Sequence, residues 1–487
     1  MNGNFIKSFS EIPGPKSLPF IGTLFYYLPV IGKYKFDELY LNGLKKYNEF
    51  GPIIKEEIVP GTNIIWLFNP DDIKKLFKIE GRYPERRSHL ALQHYRNHRK
   101  DLYNSGGLLP TNGPEWYRLR SFFQKGLSSP KNVRSYISQT NDIVDCFISH
   151  LGDSQSSKTE DFINKLSRLF LEILGVVIFD SRLNSFTTEE LKPQSKSSKL
   201  MESALTINSC ILKTDNGLRL WRFWNTPLYN KLKNAHQFME NMAVELIEKK
   251  IQKMINKNNN DNDNDDGEKS LLEYYLTSKE IDKKDIIGMC ADILLAGIDT
   301  TTFSTSFTLY HLATNKEKQE KLFKESFNLL PKGDSLITSD ILANAEYLKA
   351  VIKESFRLNP ISVGIGRILL EDAIFSGYRV PKGNVIVTQN EIICKLDKYF
   401  THPLKFYPER WLKKENKNLN PYLVLPFGHG PRSCIARRLA EQNMQITILK
   451  LCRNFKIDWI GNPLGSKSYL INKPDGPLKF TFQYRNI

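Results

Sequence analysis

Apolar residues recur every three or four positions along much of the middle of the chain, which is the spacing of one buried face of an α-helix. This spacing predicts helices over 36–48, 160–179, 229–255, 283–314 and 345–358, and a last helix that starts just after Cys434. Shorter apolar runs predict strands over 52–67, around a turn at Gly61, and over 365–370 and 384–389. We therefore expect a mainly α-helical protein with a small β-rich part.

Three segments do not follow the helical pattern. The proline-rich stretch 13–19 restricts its own backbone and predicts a stiff hinge within residues 1–35. The apolar stretch 18–31 is interrupted by prolines and a glycine, so we expect no transmembrane anchor, since a span needs about 20 apolar residues. The Asn/Asp-rich stretch 256–268 predicts a surface loop rather than a domain boundary, because the helical pattern resumes directly after it.

Composition narrows the class of protein. The 487 residues carry a formal net charge of +16, which fits nucleic acid, an anionic membrane or an acidic protein as a partner. Lysine and arginine are spread along the chain without a zinc-finger, basic-helix or aromatic RNA-binding pattern, so nucleic acid is not supported. Six cysteines in 487 residues are too few for a disulfide scaffold, and the absence of a Cys-x-x-Cys pair among them argues against a zinc site of that kind.

The long helix predicted over 283–314 contains residues that do not favour a helix. Gly297, Asp299 and a run of threonines from Thr300 stand in its middle, where glycine alone costs up to ~1 kcal/mol. A sequence that breaks a local rule inside a strong element often marks a functional site.

A compact loop runs from Phe427 to Cys434 and holds two glycines and a proline. Cys434 ends the loop and opens a helix, where the helix dipole and nearby N–H groups stabilise a thiolate. A thiolate is a soft ligand that suits haem iron, Gly430 would let backbone N–H groups approach the sulfur, and Arg432 could neutralise a haem propionate. On this loop alone, a buried free cysteine stays an open alternative.

Further motifs follow one another in a diagnostic order. Glu354 and Arg357 lie three residues apart on one predicted helix, where an exposed ion pair is the ordinary alternative. Pro408-Glu409-Arg410-Trp411 follows, and then the cysteine loop. Together with the Asp-Thr helix and the Trp116-x-x-x-Arg120 pattern, this order resembles the cytochrome P450 family over nearly the whole chain. One departure is that the Cys-x-Gly usual in the family is here Cys434-Ile435-Ala436.

The resemblance implies a P450 fold, with a single haem domain over 36–487 and haem b as cofactor. It implies that Cys434 is the axial iron ligand and that Glu354, Arg357 and Arg410 lock the core. The other residues that it places at the haem are Trp116, Arg120, Arg367, Phe427, His429, Gly430 and Arg432.

The resemblance also implies a reaction, the insertion of one oxygen atom from O2 into a lipophilic substrate such as a sterol or fatty acid. Thr300 and Asp299 would be the catalytic pair that relays protons, although a helix kink made by side-chain–backbone bonds is the structural alternative. The pocket would be lined by the 86–110 and 200–225 regions and the strand near Val363. A haem-thiolate isomerase or dehydratase, and a non-enzymatic haem-binding protein, are the other functions considered, and the Asp-Thr pair disfavours both.

Several stretches resemble the mitochondrial branch of the family, among them 81–88, 94–100, 113–134 and 434–441. Lys349, Lys353, Arg437 and Arg438 match a basic face that would dock an acidic ferredoxin, with a flavin reductase as the alternative donor. No signal peptide or convincing transit peptide is readable. We expect a mitochondrial protein, peripheral on the inner membrane, where the remaining positive charge favours an anionic leaflet. The endoplasmic reticulum membrane and the cytosol are the alternatives.

Overall fold

The computed structural model describes residues 6–153, 161–259, 269–412 and 419–485. Its helices are α1 (Leu39–Phe50), α2 (Pro70–Ile79), α3 (Leu90–Asn97), α4 (Gly113–Leu127), α5 (Pro130–Ser135), α6 (Ile137–Asp153), α7 (Phe162–Phe179), α8 (Lys196–Asn216), α9 (Pro227–Asn259), α10 (Leu271–Leu276), α11 (Lys283–Thr314), α12 (Lys316–Leu329), α13 (Ser339–Asn344), α14 (Glu346–Leu358), α15 (Asn390–Ile393) and α16 (Arg437–Asn454).

In the described part of the chain the strands are short and build one four-stranded sheet and three two-stranded pairs. They are β1 (Ile53–Val59), β2 (Thr62–Leu67), β3 (Gly366–Ile368), β4 (Ala373–Phe375), β5 (Tyr378–Val380), β6 (Val385–Thr388), β7 (Phe455–Trp459), β8 (Ser466–Ser468), β9 (Asn472–Pro474) and β10 (Phe480–Tyr484). The sheet has the order β1-β2-β6-β3, in which β2 and β6 are parallel and the other neighbours antiparallel. The three pairs are β4–β5, β8–β9 and β7–β10. The prediction of a mainly helical protein with a small β-rich part is confirmed.

Helix α11 occupies the centre of the helical part. It begins and ends at the predicted residues, 283 and 314, and it contacts α7, α8, α9, α14 and α16. By length and hydropathy it could cross a membrane, but 83% of its most apolar 18-residue window is buried inside the protein. The helix accommodates its threonines and serines by pairing their hydroxyl groups with the backbone. Thr300, Thr302, Ser304, Ser306 and Thr308 each donate to the carbonyl oxygen four residues earlier.

The segment predicted as a hinge, 1–35, packs on the small sheet where it is described. Lys55 N donates to Pro13 O at 2.9 Å, and Thr23 N donates to Glu57 O at 2.7 Å. Beneath it, Lys46 and Glu56 form a buried ion pair. Tyr27 and Trp66 donate to the same carboxylate, at 2.9 and 2.8 Å, so this buried charge has the partners it needs.

The Asn/Asp-rich stretch predicted as a loop, 256–268, lies largely outside the described residues. Its first four residues form the end of α9 rather than a loop. The helical pattern of 229–255 therefore extends slightly further than predicted, as helix ends often do.

Candidate active site

One short part of α11 is accessible. Ala296 is exposed and Thr300 is half-buried, whereas Ile298 and Asp299 between them are buried. Positions 296 and 300 lie one helical turn apart and share a face, so this face borders open space within the fold. Thr300 Oγ1 donates to Ala296 O at 2.5 Å, which is the side-chain–backbone bond of the structural alternative, and its oxygen can still accept a hydrogen bond.

Asp299 lies on another side of the same turn and is 4% exposed. Its Oδ2 accepts a hydrogen bond from Asn208 Nδ2 of α8 at 2.9 Å. Burial raises the pKa of Asp299 to about 7, while the Asn208 bond and the charge of Lys473 act in the opposite direction. The carboxyl group can therefore hold or release a proton near neutral pH.

The cysteine loop is tight and presents its sulfur to the open space. Gly428 and Gly430 have φ of +74° and +72°, which glycine adopts without strain. Cys434 N donates to Phe427 O at 2.8 Å and closes the loop. Of the six cysteines, Cys434 alone is exposed, whereas Cys210, Cys290, Cys394 and Cys452 are buried and Cys146 is half-buried.

Cys434 lies slightly further from the following helix than predicted. A turn intervenes, and α16 begins three residues later, at Arg437. The backbone N–H of Ala436 in that turn, rather than the first turn of α16, faces the sulfur. Surrounding protein desolvates the thiolate and raises the pKa of Cys434, while the Ala436 N–H and Arg120 act to lower it.

Arginines from distant parts of the chain converge beside the cysteine loop. The Arg432 guanidinium lies 4.2 Å from the centre of the buried Trp116 ring. Arg120 Nη1 donates to Ser433 O at 2.8 Å, and Arg367 Nη2 donates to His429 O at 3.0 Å. The structure thus brings Trp116, Arg120, Arg367 and Arg432, four of the residues expected at the haem, together beside this loop.

Arg86 is a fourth arginine beside the cysteine loop, and the sequence analysis did not single it out. Its Nε donates to Leu109 O at 3.0 Å. Arg432 Nη2 donates to Thr111 O in the same loop, at 2.6 Å. The sequence signal for Arg86 is its position in 81–88, a stretch that resembles the mitochondrial branch of the family. Arg87 lies in the same stretch and is an equal candidate for this place in the site. Arg87 instead donates to Asp215 O at the end of α8.

The arginine cluster, which we define as Arg86, Arg120, Arg367 and Arg432, has more positive charge than its surroundings balance. Desolvation is the main cause that lowers the pKa of Arg86 and Arg120 to about 10 and that of Arg432 to about 8. Arg367 adds repulsion on both Arg86 and Arg432. Within the described ranges, Arg367 is the one member with an ion-pair partner, Glu80 at 2.6 Å. The cluster is therefore suited to a buried anion.

Glu354 and Arg357 form a buried pair, not the exposed pair that their spacing also allowed. Both side chains are 0% exposed, and Arg357 Nε and Nη2 donate to the two carboxylate oxygens at 2.9 and 2.8 Å. Arg410 Nε and Trp411 Nε1 reach the same carboxylate at 3.0 and 2.8 Å. Arg357 Nη1 also donates to Cys394 O at 2.9 Å, so this group joins α14 to the segment that leads to the cysteine loop.

Comparison with known proteins decides the family. The model of the family described as Cytochrome P450 matches residues 12–474. The chain belongs to the cytochrome P450 family.

This P450 has related proteins in Drosophila melanogaster. It is 48% identical over 484 residues to "Cytochrome P450 302a1, mitochondrial", with 99% of this chain and 96% of that protein covered. It is 31% identical over 482 residues to "Probable cytochrome P450 301a1, mitochondrial", with 97% and 86% covered. Membership of the family makes this P450 a haem-thiolate monooxygenase with haem b as its cofactor.

The residues of this P450 fit haem b. An accessible thiol stands beside three arginines without an ion-pair partner in the described part of the chain. Arg432 Nη1 and Thr111 Oγ1 are buried and lack a hydrogen-bond partner among the described residues. A planar iron porphyrin with two propionates would supply both the anions and the acceptors that these groups need.

Gly430 has a further structural reason, which is independent of the predicted approach of backbone N–H groups to the sulfur. A Cβ atom at this position would lie 1.8 Å from Glu80 Oε1, so glycine leaves room for that carboxylate. His429 is placed by its ring contacts with Phe77 and Tyr422, at 5.1 Å between ring centres in both cases. Phe427 packs edge-on against Phe356 of α14.

The four predicted partner-docking residues of this P450 are exposed. Lys353 Nζ lies 4.2 Å from the centre of the Trp411 ring, and Arg437 lies 5.5 Å from that of Phe427. Desolvation lowers the pKa of Lys353, and the nearby charge of Arg437 adds to this effect. Arg438 Nη1 donates to Ser128 O beyond the end of α4. These contacts place the basic residues on the side of α14 and the cysteine loop.

Proposed function

We propose that this P450 takes electrons from an acidic ferredoxin in the mitochondrion and oxygenates a lipophilic substrate. The observation that carries the choice of donor is the basic face formed by Lys349, Lys353, Arg437 and Arg438, all of which are exposed. A basic face beside the metal-binding loop attracts an acidic donor and speeds its encounter at low salt. The related proteins named mitochondrial support the compartment.

Reversing two of these charges tests the donor. Lys349→Glu with Lys353→Glu is expected to raise the apparent KM for an acidic ferredoxin about tenfold or more, because opposite charges no longer meet, with kcat at saturating donor retained. NADPH-driven turnover with a ferredoxin and its reductase is the measurement, and the difference should shrink as salt increases.

The matched control reverses two exposed lysines with the same spacing on α9, Lys249→Glu with Lys253→Glu, and should leave the KM unchanged. Neither α14 nor α16 is among the main neighbours of α9. Turnover supported by a flavin reductase and not by any ferredoxin would show that the proposed donor is wrong.

The geometry of the site supports the following assignment of roles. Cys434 would ligate the iron, and the arginine cluster with Trp116 would hold the propionates. Bound haem supplies the iron at which oxygen is activated. The chain's own part is to deliver protons. Thr300 would donate a hydrogen bond or hold a water at the accessible face of α11, and Asp299 would replenish the proton from another side of the helix.

Removing the Thr300 hydroxyl tests the proton relay. Thr300→Ala is expected to raise the peroxide released per NADPH consumed several-fold and to lower product accordingly, because protons arrive at the wrong time or place. Thr302→Ala is the control, since Thr302 makes the same kind of backbone bond but is fully buried on α11. Equal peroxide release by the two variants would show that the Thr300 hydroxyl group has a structural role and does not relay protons.

The titration of Asp299 gives the relay a pH dependence. Its carboxyl group is protonated below its pKa of about 7, so product per NADPH should fall as pH rises through 7. Asp299→Asn is expected to lower turnover by about 10²-fold, the lower end of what a general acid contributes, and to remove this pH dependence.

An exposed apolar surface supports the lipophilic substrate and a membrane location. Phe20 and Ile31 are 93% and 79% exposed, and Phe223 and Trp224 are 80% and 57% exposed. The segment that carries Phe20 and Ile31 borders the β1–β2 hairpin, since Thr23 N donates to Glu57 O. The segment that carries Phe223 and Trp224 borders the same hairpin, since Arg219 Nη2 donates to Thr62 Oγ1. Exposed rings among basic side chains suit the surface of an anionic bilayer, from which a lipophilic substrate would enter.

Vesicle binding tests this surface. Phe223→Ser with Trp224→Ser is expected to reduce co-sedimentation with vesicles of phosphatidylcholine and phosphatidylglycerol several-fold, because the apolar area that enters the bilayer is lost. Leu404→Ser, at another residue that is 71% exposed, is the control. Equal binding of the wild type and both variants would remove the proposed membrane surface.

A further inference from the structure

Glu80 is a charged residue in a place that local rules disfavour. It caps the C-terminal end of α2, where the helix dipole repels a carboxylate, and it is 7% exposed. Neither of these features stabilises the helix, so the reason for a glutamate at this position lies in its tertiary contacts.

Those contacts are with the arginine cluster and the cysteine loop. Glu80 Oε2 accepts a hydrogen bond from Arg367 Nε at 2.6 Å. Glu80 Oε1 has no hydrogen-bond partner among the described residues and lies against Gly430, where an added Cβ would be 1.8 Å away. The carboxylate thus reaches the backbone of the loop that carries Cys434.

Arg367 also holds this loop. Besides Glu80, it donates to His429 O at 3.0 Å and to Gly366 O at 2.9 Å. The ion pair therefore joins α2, β3 and the cysteine loop. Desolvation raises the pKa of the Glu80 carboxyl group, whereas the charges of Arg367 and Arg432 act to lower it.

We propose that Glu80 is a positioning residue that orients Arg367 and offsets part of the cluster's positive charge, and so sets the reduction potential of the haem. This inference rests on the proposed binding of the haem propionates by the arginine cluster. Glu80 acts through Arg367 and makes no contact with substrate.

The sign of the effect follows from charge. Reduction of the haem adds an electron, which a nearby carboxylate opposes and a nearby guanidinium favours. Glu80→Gln keeps the shape and one acceptor oxygen but removes the negative charge, so it should shift the midpoint potential to a more positive value. Two partly screened unit charges in a protein interior make this about a three- to tenfold increase in the equilibrium constant for reduction.

The experiment measures the ferric–ferrous midpoint potential of the haem-loaded full chain by spectroelectrochemistry, which does not depend on turnover. The variants are Glu80→Gln, Arg367→Gln and the two together. The expected order of potentials is Arg367→Gln lowest, then the double variant, then the wild type, with Glu80→Gln highest. Asp72→Asn is the matched control, a buried carboxylate of the same helix bonded to Ser376, and should not shift the potential.

The double variant keeps the test decisive if Glu80→Gln alone does not retain haem. Removing both partners of a buried ion pair is better tolerated than removing one. If the midpoint potential of the double variant is no higher than that of Arg367→Gln, the proposed role of Glu80 is wrong. It is also wrong if Glu80→Gln alone has the midpoint potential of the wild type. If Arg367→Gln also leaves the potential unchanged, it is the proposed binding of propionates by the cluster that fails.

Discussion

Replacement of Cys434 by serine is expected to abolish the red-shifted Soret band that the reduced enzyme shows with carbon monoxide. That band requires a thiolate on the iron, and a serine hydroxyl is neither soft nor readily ionised. Cys434 is the exposed cysteine of this chain, at the end of a loop braced by Arg120 and Arg367. Monooxygenase activity should be lost with the band.

The control for this variant is Cys146→Ser. Cys146 is half-buried and lies on α6, away from the loop, so the band should persist at its usual position. The other cysteines make poor ligands because they are buried in the core, where desolvation raises the pKa of Cys394 and Cys452 to about 12. Retention of the band in Cys434→Ser would show that the proposed axial ligand is wrong.

Replacement of Glu354 by glutamine is expected to destabilise the folded protein strongly. It leaves Arg357 and Arg410 inside the protein without their shared carboxylate, and half of a buried ion pair costs about 3–5 kcal/mol. A domain is stable by only about 5–15 kcal/mol, so the yield of folded, haem-loaded protein should fall sharply.

Urea unfolding followed by circular dichroism measures this loss. Glu346→Gln is the control, since Glu346 is an exposed glutamate in the first turn of the same helix α14, and its midpoint should match the wild type. An unfolding midpoint of Glu354→Gln equal to that of the wild type would mean that the carboxylate does not hold the core together.

Local pattern was sufficient to predict the main elements. Helix α11 has the predicted bounds, and the paired strands of 52–67 turn at Gly61 as expected. The order of short motifs along the chain was sufficient to predict the family and the residues around Cys434. Both succeed for the same reason, since periodicity and motif spacing depend on residues that are close in sequence.

Other features required the tertiary structure, because they join residues that are distant in sequence. The spacing of Glu354 and Arg357 also fits an exposed pair, and only the fold buries both and brings Arg410 and Trp411 to the same carboxylate. Arg86 and Arg87 could not be told apart by pattern, and folding alone turns Arg86 toward the cluster and Arg87 toward α8. Spacing contains no information on such contacts, since burial and charge balance are properties of the whole packed chain.

The glycine in the cysteine loop shows this division most clearly. Gly430 belongs to the cysteine-loop motif, and its positive φ is a local reason for glycine at this turn. That the missing side chain makes room for Glu80, some 350 positions earlier in the chain, follows only from the packing of α2 against the loop. Local conformation is encoded by residues that are neighbours in sequence, whereas the charge beside the cysteine loop comes from separate segments that only the fold brings together.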